Sequence, residues 1–171
     1  MSAAVRTRRA RNADATVLPT IERSAGLSFR SIAHVAWVAD QGVQSAGAHA
    51  TNIVSQPVWI ADAGDSAIGF LIAESCGEDL HICEVSVHAD WHGQDIGARL
   101  IDTAAACARE AGRRSVTLTT SRDVPSNAPC CVRVGFVVED DRDARLARLL
   151  DLEAARGFAR ETRCAMRIAL P

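Results

Sequence analysis

Apolar and polar positions along the chain change period several times, and each change marks an element. Val5-Arg6-Thr7-Arg8 alternates and predicts an edge strand with charged outer positions. Asn12-Ala13-Asp14 offers a helix start before ATVLPTIERSAG, where Val17, Ile21 and the Ala25/Leu27 region recur at helical spacing until Gly26. Residues 31–53 are rich in Ala, Val and Gln, and Gly42 and Gly47 are expected to break them into two short helical pieces. PVWIADAG and SAIGFLIAES flank the turn signal Ala63-Gly64-Asp65 and predict a hairpin. LHICEVSVH alternates, with Leu80, Ile82, Glu84, Ser86 and His88 on one face and His81, Cys83, Val85 and Val87 on the other. That pattern predicts a central strand with a carboxylate on one face.

From Ile96 the stripe Ile96, Leu100, Ile101, Ala104, Ala108 is helical and stops at Gly112. SVTLTT predicts a strand, SRDVPSNAP a loop, CCVRV a short helix and GFVVED another strand. Asp143 to Arg156 is a charged helix with Leu146, Leu149, Leu150 and Leu152, and RCAMRIAL closes as a final strand. The order is strand, helices, three strands, helix, strand, helix, strand, helix, strand. It describes an α/β protein with one mixed layer of sheet covered by helices. At 171 residues, with 48% hydrophobic and 23% charged, the expectation is one domain over 1–171 with its core from about 5 to 170.

Composition narrows the function classes. All 19 basic side chains are Arg and there is no Tyr, a usage resembling a high-GC bacterial coding bias. A net charge of -2 gives no general footprint for nucleic acid, and Arg6, Arg8, Arg9 and Arg11 are expected to form a solvated strand end rather than a nucleic-acid patch or a transit peptide. No stretch nears the roughly 18 apolar residues of a membrane span, so a soluble cytoplasmic chain without membrane partners is expected. The six cysteines lack any CxxC pair, and Cys130-Cys131 are vicinal, so neither a zinc framework nor a disulfide scaffold is indicated. His81 and Cys83 share a face, a spacing commoner in core and rim than in metal sites, and no metal is expected.

The stretch WHGQDIGARL carries a strand into a helix through Gly93 and Gly97, an arrangement in which N–H groups at a helix N-terminus meet an anion. It is neither a P-loop, since no Gly-Lys-Ser/Thr follows, nor GxGxxG, since its glycines lie four apart. EVSVHADWHGQDIGARLI resembles the coenzyme A-binding segment of the GCN5-related N-acetyltransferases (GNAT family), whose turn reads Arg/Gln-x-x-Gly-x-Gly/Ala. In that register His92 takes the Arg/Gln place, Gly93 and Gln94 the variable pair, Asp95 the first motif glycine and Gly97 the last. A start at Gln94 would put Arg99 where Gly/Ala belongs. NAPCCVRVGF is similar to the family's Asn-...-Phe-Tyr-x-x-x-Gly-Phe segment.

The resemblance implies a mixed, mostly antiparallel central sheet of about 6–7 strands flanked by helices, with acetyl-CoA as cosubstrate and no metal. The sheet would open after Val87, main-chain groups of Val85, Ser86 and Val87 would pair with pantetheine, and the pyrophosphate would lie over Gly93, Gln94, Asp95, Ile96, Gly97 and Ala98. Asn127 would cap the short helix or hydrogen-bond the pantetheine. Acetyl would pass by direct attack of a primary amine, carried by a small molecule or a peptide, on the acetyl thioester, and a homodimer is common for the fold.

An amine is mostly protonated at neutral pH, so transfer needs a proton acceptor. Glu84 is the candidate, acting directly or through a water; alternatively it is a salt-bridged structural acid or orients the substrate's ammonium. Cys131 stands where the family commonly has its proton-donating Tyr; a thiol titrating near 8.5 can donate to a leaving thiolate, or it is a small buried side chain behind Gly135-Phe136. Asp95 is expected to cap the following helix with its carboxylate, worth about 1 kcal/mol, and to repel the pyrophosphate. A like charge at about 4 Å opposes binding by up to roughly 4 kcal/mol at an effective dielectric near 20. These departures at Asp95 and Cys131 keep open a second class, a catalytically impaired relative that binds or senses acyl-CoA or another ligand.

Overall fold

The structure, a computed structural model, describes residues 4–139 and 143–171. Its strands form one seven-stranded sheet in the order β1-β2-β3-β4-β5-β7-β6, mostly antiparallel and flanked by helices: β1 Val5–Arg9, β2 Val58–Ala63, β3 Ser66–Cys76, β4 Asp79–Val87, β5 Ser115–Ser121, β6 Val137–Glu139 and β7 Arg163–Ala169. The end of the predicted GFVVED strand, from Asp140, lies outside the described residues. The chain divides into two compact units, one of residues up to Glu74 with Glu84–Ala104, the other of Ser75–Cys83 with Ala105–Pro171.

In the first unit β1 pairs antiparallel with β2, from Val5 against Ala63 to Arg9 against Trp59. Arg8 ties this edge down, reaching Asp62 at 2.5 Å and Asp14 at 2.8 Å. Helix α1, Leu18–Leu27, begins with Pro19 in its first turn, where a missing N–H is harmless. It buries Leu18 and Ile21 against Val58, Ile60, Phe70 and Ile72. The pairs Val58–Ile72 and Ile60–Phe70 face each other across β2 and β3, and each such buried side chain contributes about 1.5–3 kcal/mol. Gly26 does not end α1 but lies within its last turn.

Gly47 does not break the chain either. Helix α2 runs Ala46–Ser55 with Gly47 in its first turn, because the Ser45 hydroxyl accepts the Ala48 N–H at 3.1 Å and fixes the start one residue earlier. Gly42 does fall between α2 and a 3-10 stretch, Ala33–Asp40. The β2–β3 hairpin turns at Gly64-Asp65, with Gly64 at φ 62°. Between Ala61 and Asp62 the register slips, leaving Ile68 as an extra residue on β3. The bulged Ile68 carbonyl takes the His88 N–H at 2.8 Å and so fixes the chain just beyond β4. Gly69 beside it permits that closeness, since a Cβ there would sit 3.1 Å from the Ser86 carbonyl.

In the second unit Asp79–Ile82 of β4 pair parallel with Ser115–Leu118 of β5, as a helical crossover between the two strands requires. β7 pairs antiparallel with β5 on one side and β6 on the other. The crossover helix is α3, Ile96–Glu110; α4 is Ala128–Arg133 and α5 is Ala144–Ala155. Asp143 caps α5 by accepting from the N–H groups of Arg145 and Leu146 at 2.9 and 3.1 Å. Leu146 and Leu150 then pack on Ala165. Arg163, nearly buried, makes two 2.9 Å bonds to Glu153, one of 3.0 Å to Ser121, and lies over the Phe158 ring.

Candidate active site

The alternation of β4 puts Glu84 and Ser86 on one side, and the Ser86 hydroxyl donates to Glu84 Oε1 at 2.8 Å. The other carboxylate oxygen, Oε2, accepts from Gln44 Nε2 at 3.1 Å. Gln44 precedes α2, and its backbone N–H donates to both oxygens of Glu22 on α1, at 3.1 and 3.3 Å. From α2, Asn52 Nδ2 donates to Gln44 Oε1 at 2.9 Å, and His49 Nε2 lies 3.0 Å from Glu22 Oε2. His49 is fully buried with its ring edge-on to Phe70. The first unit thus gathers one further acid, two amides, a hydroxyl and an imidazole around the Glu84 carboxylate.

Burial pushes Glu84 up to about 7, helped by repulsion from Glu22 and opposed by the Ser86 and Gln44 hydrogen bonds and by His49. Burial also raises Glu22 and lowers His49. A carboxyl balanced near neutrality is ionised often enough to take a proton and basic enough to hold it. Glu22, Gln44, His49 and Asn52 were not legible as site residues in the sequence. They approach Glu84 from distant segments, and the one local hint is His49 and Asn52 three apart on the same helical face.

Beyond β4 the chain makes a 3-10 turn at Ala89–Trp91, and the His92 ring donates through Nε2 to the Val87 carbonyl at 2.8 Å. Gly93 (φ 76°) and Asp95 (φ 57°) are both left-handed. The Asp95 carbonyl accepts the Arg99 N–H at 3.0 Å, the first bond of α3. Its side chain does not cap the helix as expected. A capping side chain needs extended backbone, and left-handed Asp95 instead leaves its carboxylate exposed, with no hydrogen bond to the N–H groups of α3 among the described residues. The same φ explains why this is the motif's glycine place, since only glycine takes it without strain.

In the second unit Cys131 lies buried on α4, and burial pushes its thiol up to about 12, with Cys130 and Cys164 adding to the rise. A thiol held so high is a poor proton donor to another thiolate. Asn127 caps α4 with its backbone carbonyl, which accepts the Cys131 N–H at 3.0 Å, while its side-chain oxygen accepts from the Ser126 hydroxyl at 3.2 Å. Among the described residues no group of three or more His, Cys, Asp or Glu is placed to hold a metal, and no helix is long and apolar enough to cross a membrane.

Residues 55–138, which include Glu84, the Gly93–Ala98 turn, Asn127 and Cys131, match the family model of the acetyltransferase (GNAT) domain. The chain carries a GNAT acetyltransferase domain. Solved structures share the fold of this GNAT chain over nearly its whole length. The PaiA N-acetyltransferase from Thermoplasma acidophilum, in complex with coenzyme A, is 15% identical with a TM-score of 0.74, covering 97% of this chain and 99% of that one. The ribosomal-protein-S18-alanine N-acetyltransferase from Escherichia coli is 13% identical with a TM-score of 0.68, covering 98% and 94%. The N-acetylglutamate synthase from Neisseria gonorrhoeae, complexed with coenzyme A and N-acetyl-glutamate, is 15% identical with a TM-score of 0.69, covering 100% of this chain and 36% of that one.

Proposed function

We propose that this GNAT chain is an acetyl-CoA-dependent N-acetyltransferase acting on a primary amine, with Glu84 as the base. The observation that carries the reading is the half-buried Glu84 carboxyl poised at about 7 and held by two hydrogen bonds. The turn beyond β4 suits an anionic cofactor: it leads into the N-terminus of α3, whose first N–H groups favour an anion, and a Cβ on Gly93 would meet nothing within 4 Å. We assign pantetheine to the main chain of Val85–Val87 and pyrophosphate to the N–H groups of Gly93–Ala98. Asp95 is the one group there that opposes an anion. When bound, coenzyme A supplies the acetyl group as a thioester open to direct attack by an amine nitrogen.

Glu84 takes the amine's proton, directly or through one water, as the amine becomes a nucleophile. Cys131 packs α4 and donates no proton in this scheme; at neutral pH water supplies the proton that a departing thiolate needs. The six cysteines are free thiols, which suits a reducing compartment, and we place the chain in the bacterial cytoplasm. The test is thiol release from acetyl-CoA across a panel of primary amines, with the native chain and Glu84→Gln. Amine-dependent release that the substitution abolishes supports the reading. Acetyl-CoA binding without release for any amine overturns it in favour of a ligand-sensing relative.

A further inference from the structure

We propose that Gln44 is a positioning residue for Glu84, deciding both how readily that carboxylate ionises and which of its oxygens carries the proton. The inference rests on the reading of Glu84 as the base. Its geometric ground is the fixed direction of one amide. Asn52 Nδ2 donates to Gln44 Oε1 at 2.9 Å, so the oxygen end of the amide is committed to α2. The nitrogen end is thereby turned to Glu84 Oε2 at 3.1 Å. An amide nitrogen donates and never accepts, so this contact favours the ionised carboxylate and leaves no acceptor for a proton on Oε2.

Oε1 faces a different partner. The Ser86 hydroxyl, 2.8 Å away, donates to a carboxylate and, after rotating, accepts from a carboxyl. The proton taken from the amine therefore resides on Oε1, with Ser86 as its acceptor, while Gln44 keeps hold of Oε2 throughout. The titratable groups that face Glu84 are Glu22 from α1, which opposes ionisation, and His49 from α2, which favours it. Gln44 is the only non-titrating group among the described residues that touches both acids: its side chain holds Glu84, and its backbone N–H holds Glu22. Side-chain substitution leaves that N–H in place, so Gln44→Met removes the amide, its donor to Glu84 and its acceptor for Asn52, and keeps the backbone bond to Glu22.

The experiment is a carbon-13 NMR titration of the Glu84 carboxyl in chain labelled at glutamate side chains, the resonance assigned with Glu84→Gln. In Gln44→Met the Glu84 midpoint rises by about one pH unit, the effect of one lost hydrogen bond to a charged group. Asn52→Leu provides a second variant that adds no charge: it frees the oxygen end of the amide, so the nitrogen is no longer held toward Glu84, and the midpoint again rises. A midpoint unmoved in both variants, each folded by circular dichroism, overturns the proposal. The acid limb of kcat/KM is followed in parallel and shifts by the same interval. If the NMR midpoint moves while that limb stays, the positioning role stands and the assignment of Glu84 as base fails.

Discussion

Replacing Glu84 with Gln separates the carboxyl's cost to folding from its use in catalysis. An ordinary glutamate titrates near 4.5, whereas Glu84 in the folded chain is pushed to about 7 by burial and by Glu22. A raised folded pKa means that the folded state holds a proton the unfolded state has lost. The stability is thus intact below about pH 4.5, declines as pH rises, and levels off above about 7. Those 2.5 or so pKa intervals correspond to about 3 kcal/mol, of which about 2 is lost by pH 6. A glutamine in the same place keeps both contacts, accepting from Gln44 and donating to Ser86, and does not titrate. Urea unfolding of both proteins at about pH 4 and about pH 8 reads the effect. The difference in stability between variant and native chain should shift by about 3 kcal/mol in the variant's favour from the lower to the higher pH. A difference that stays constant across that range refutes the reasoning. The same variant should lose about 10²-fold or more in kcat when acetyl transfer is assayed.

Other substitutions probe the remaining assignments. Asp95→Gly relieves a left-handed φ and removes a charge from the cofactor turn. Stability should change by less than about 1 kcal/mol, since relief of strain and glycine's greater unfolded-state freedom oppose each other. Each phosphate charge about 4 Å away is repelled by about 1 kcal/mol in water, so calorimetry should show acetyl-CoA binding about tenfold tighter; equal affinities would sink the repulsion argument. Cys131→Ala should leave kcat within about twofold, because a thiol held at about 12 is not a donor; a loss beyond about tenfold in steady-state thiol release would restore it to the mechanism. Arg163→Lys keeps the charge but loses the fork that holds Glu153 and Ser121, and a denaturant melt should show a loss of about 2 kcal/mol; a change under about 0.5 kcal/mol would count against that network.

Much of the fold was legible because its signals are local. The period of two in β4, the stripe from Ile96 to Ala108, the Gly64 turn and the leucine spacing of the helix read from Asp143 to Arg156 are each set by neighbouring residues, and the elements appear where those patterns stand. The two errors in the helical region have a local physical cause as well. By residue type Gly26 and Gly47 read as breaks, yet each sits in a terminal turn, where helical hydrogen bonding is incomplete in any case and glycine weakens little.

For the site, sequence alone determined that a carboxylate stands on the central strand next to a glycine-bearing turn into a helix, since alternation and spacing lie within the chain's own order. It did not determine what that carboxylate is. Glu84 becomes an acid balanced near neutrality only because α1, α2 and the segment leading into α2 carry Glu22, Gln44, His49 and Asn52 to it from 32 to 62 positions away, a proximity no local pattern encodes. Asp95 shows the same division at one residue. Its identity suggested a cap, but its backbone takes a left-handed φ of 57°, not the extended conformation of a capping residue, and its carboxylate is left exposed. Charge and period are properties of the chain; desolvation and direction arise only when its distant parts are packed together.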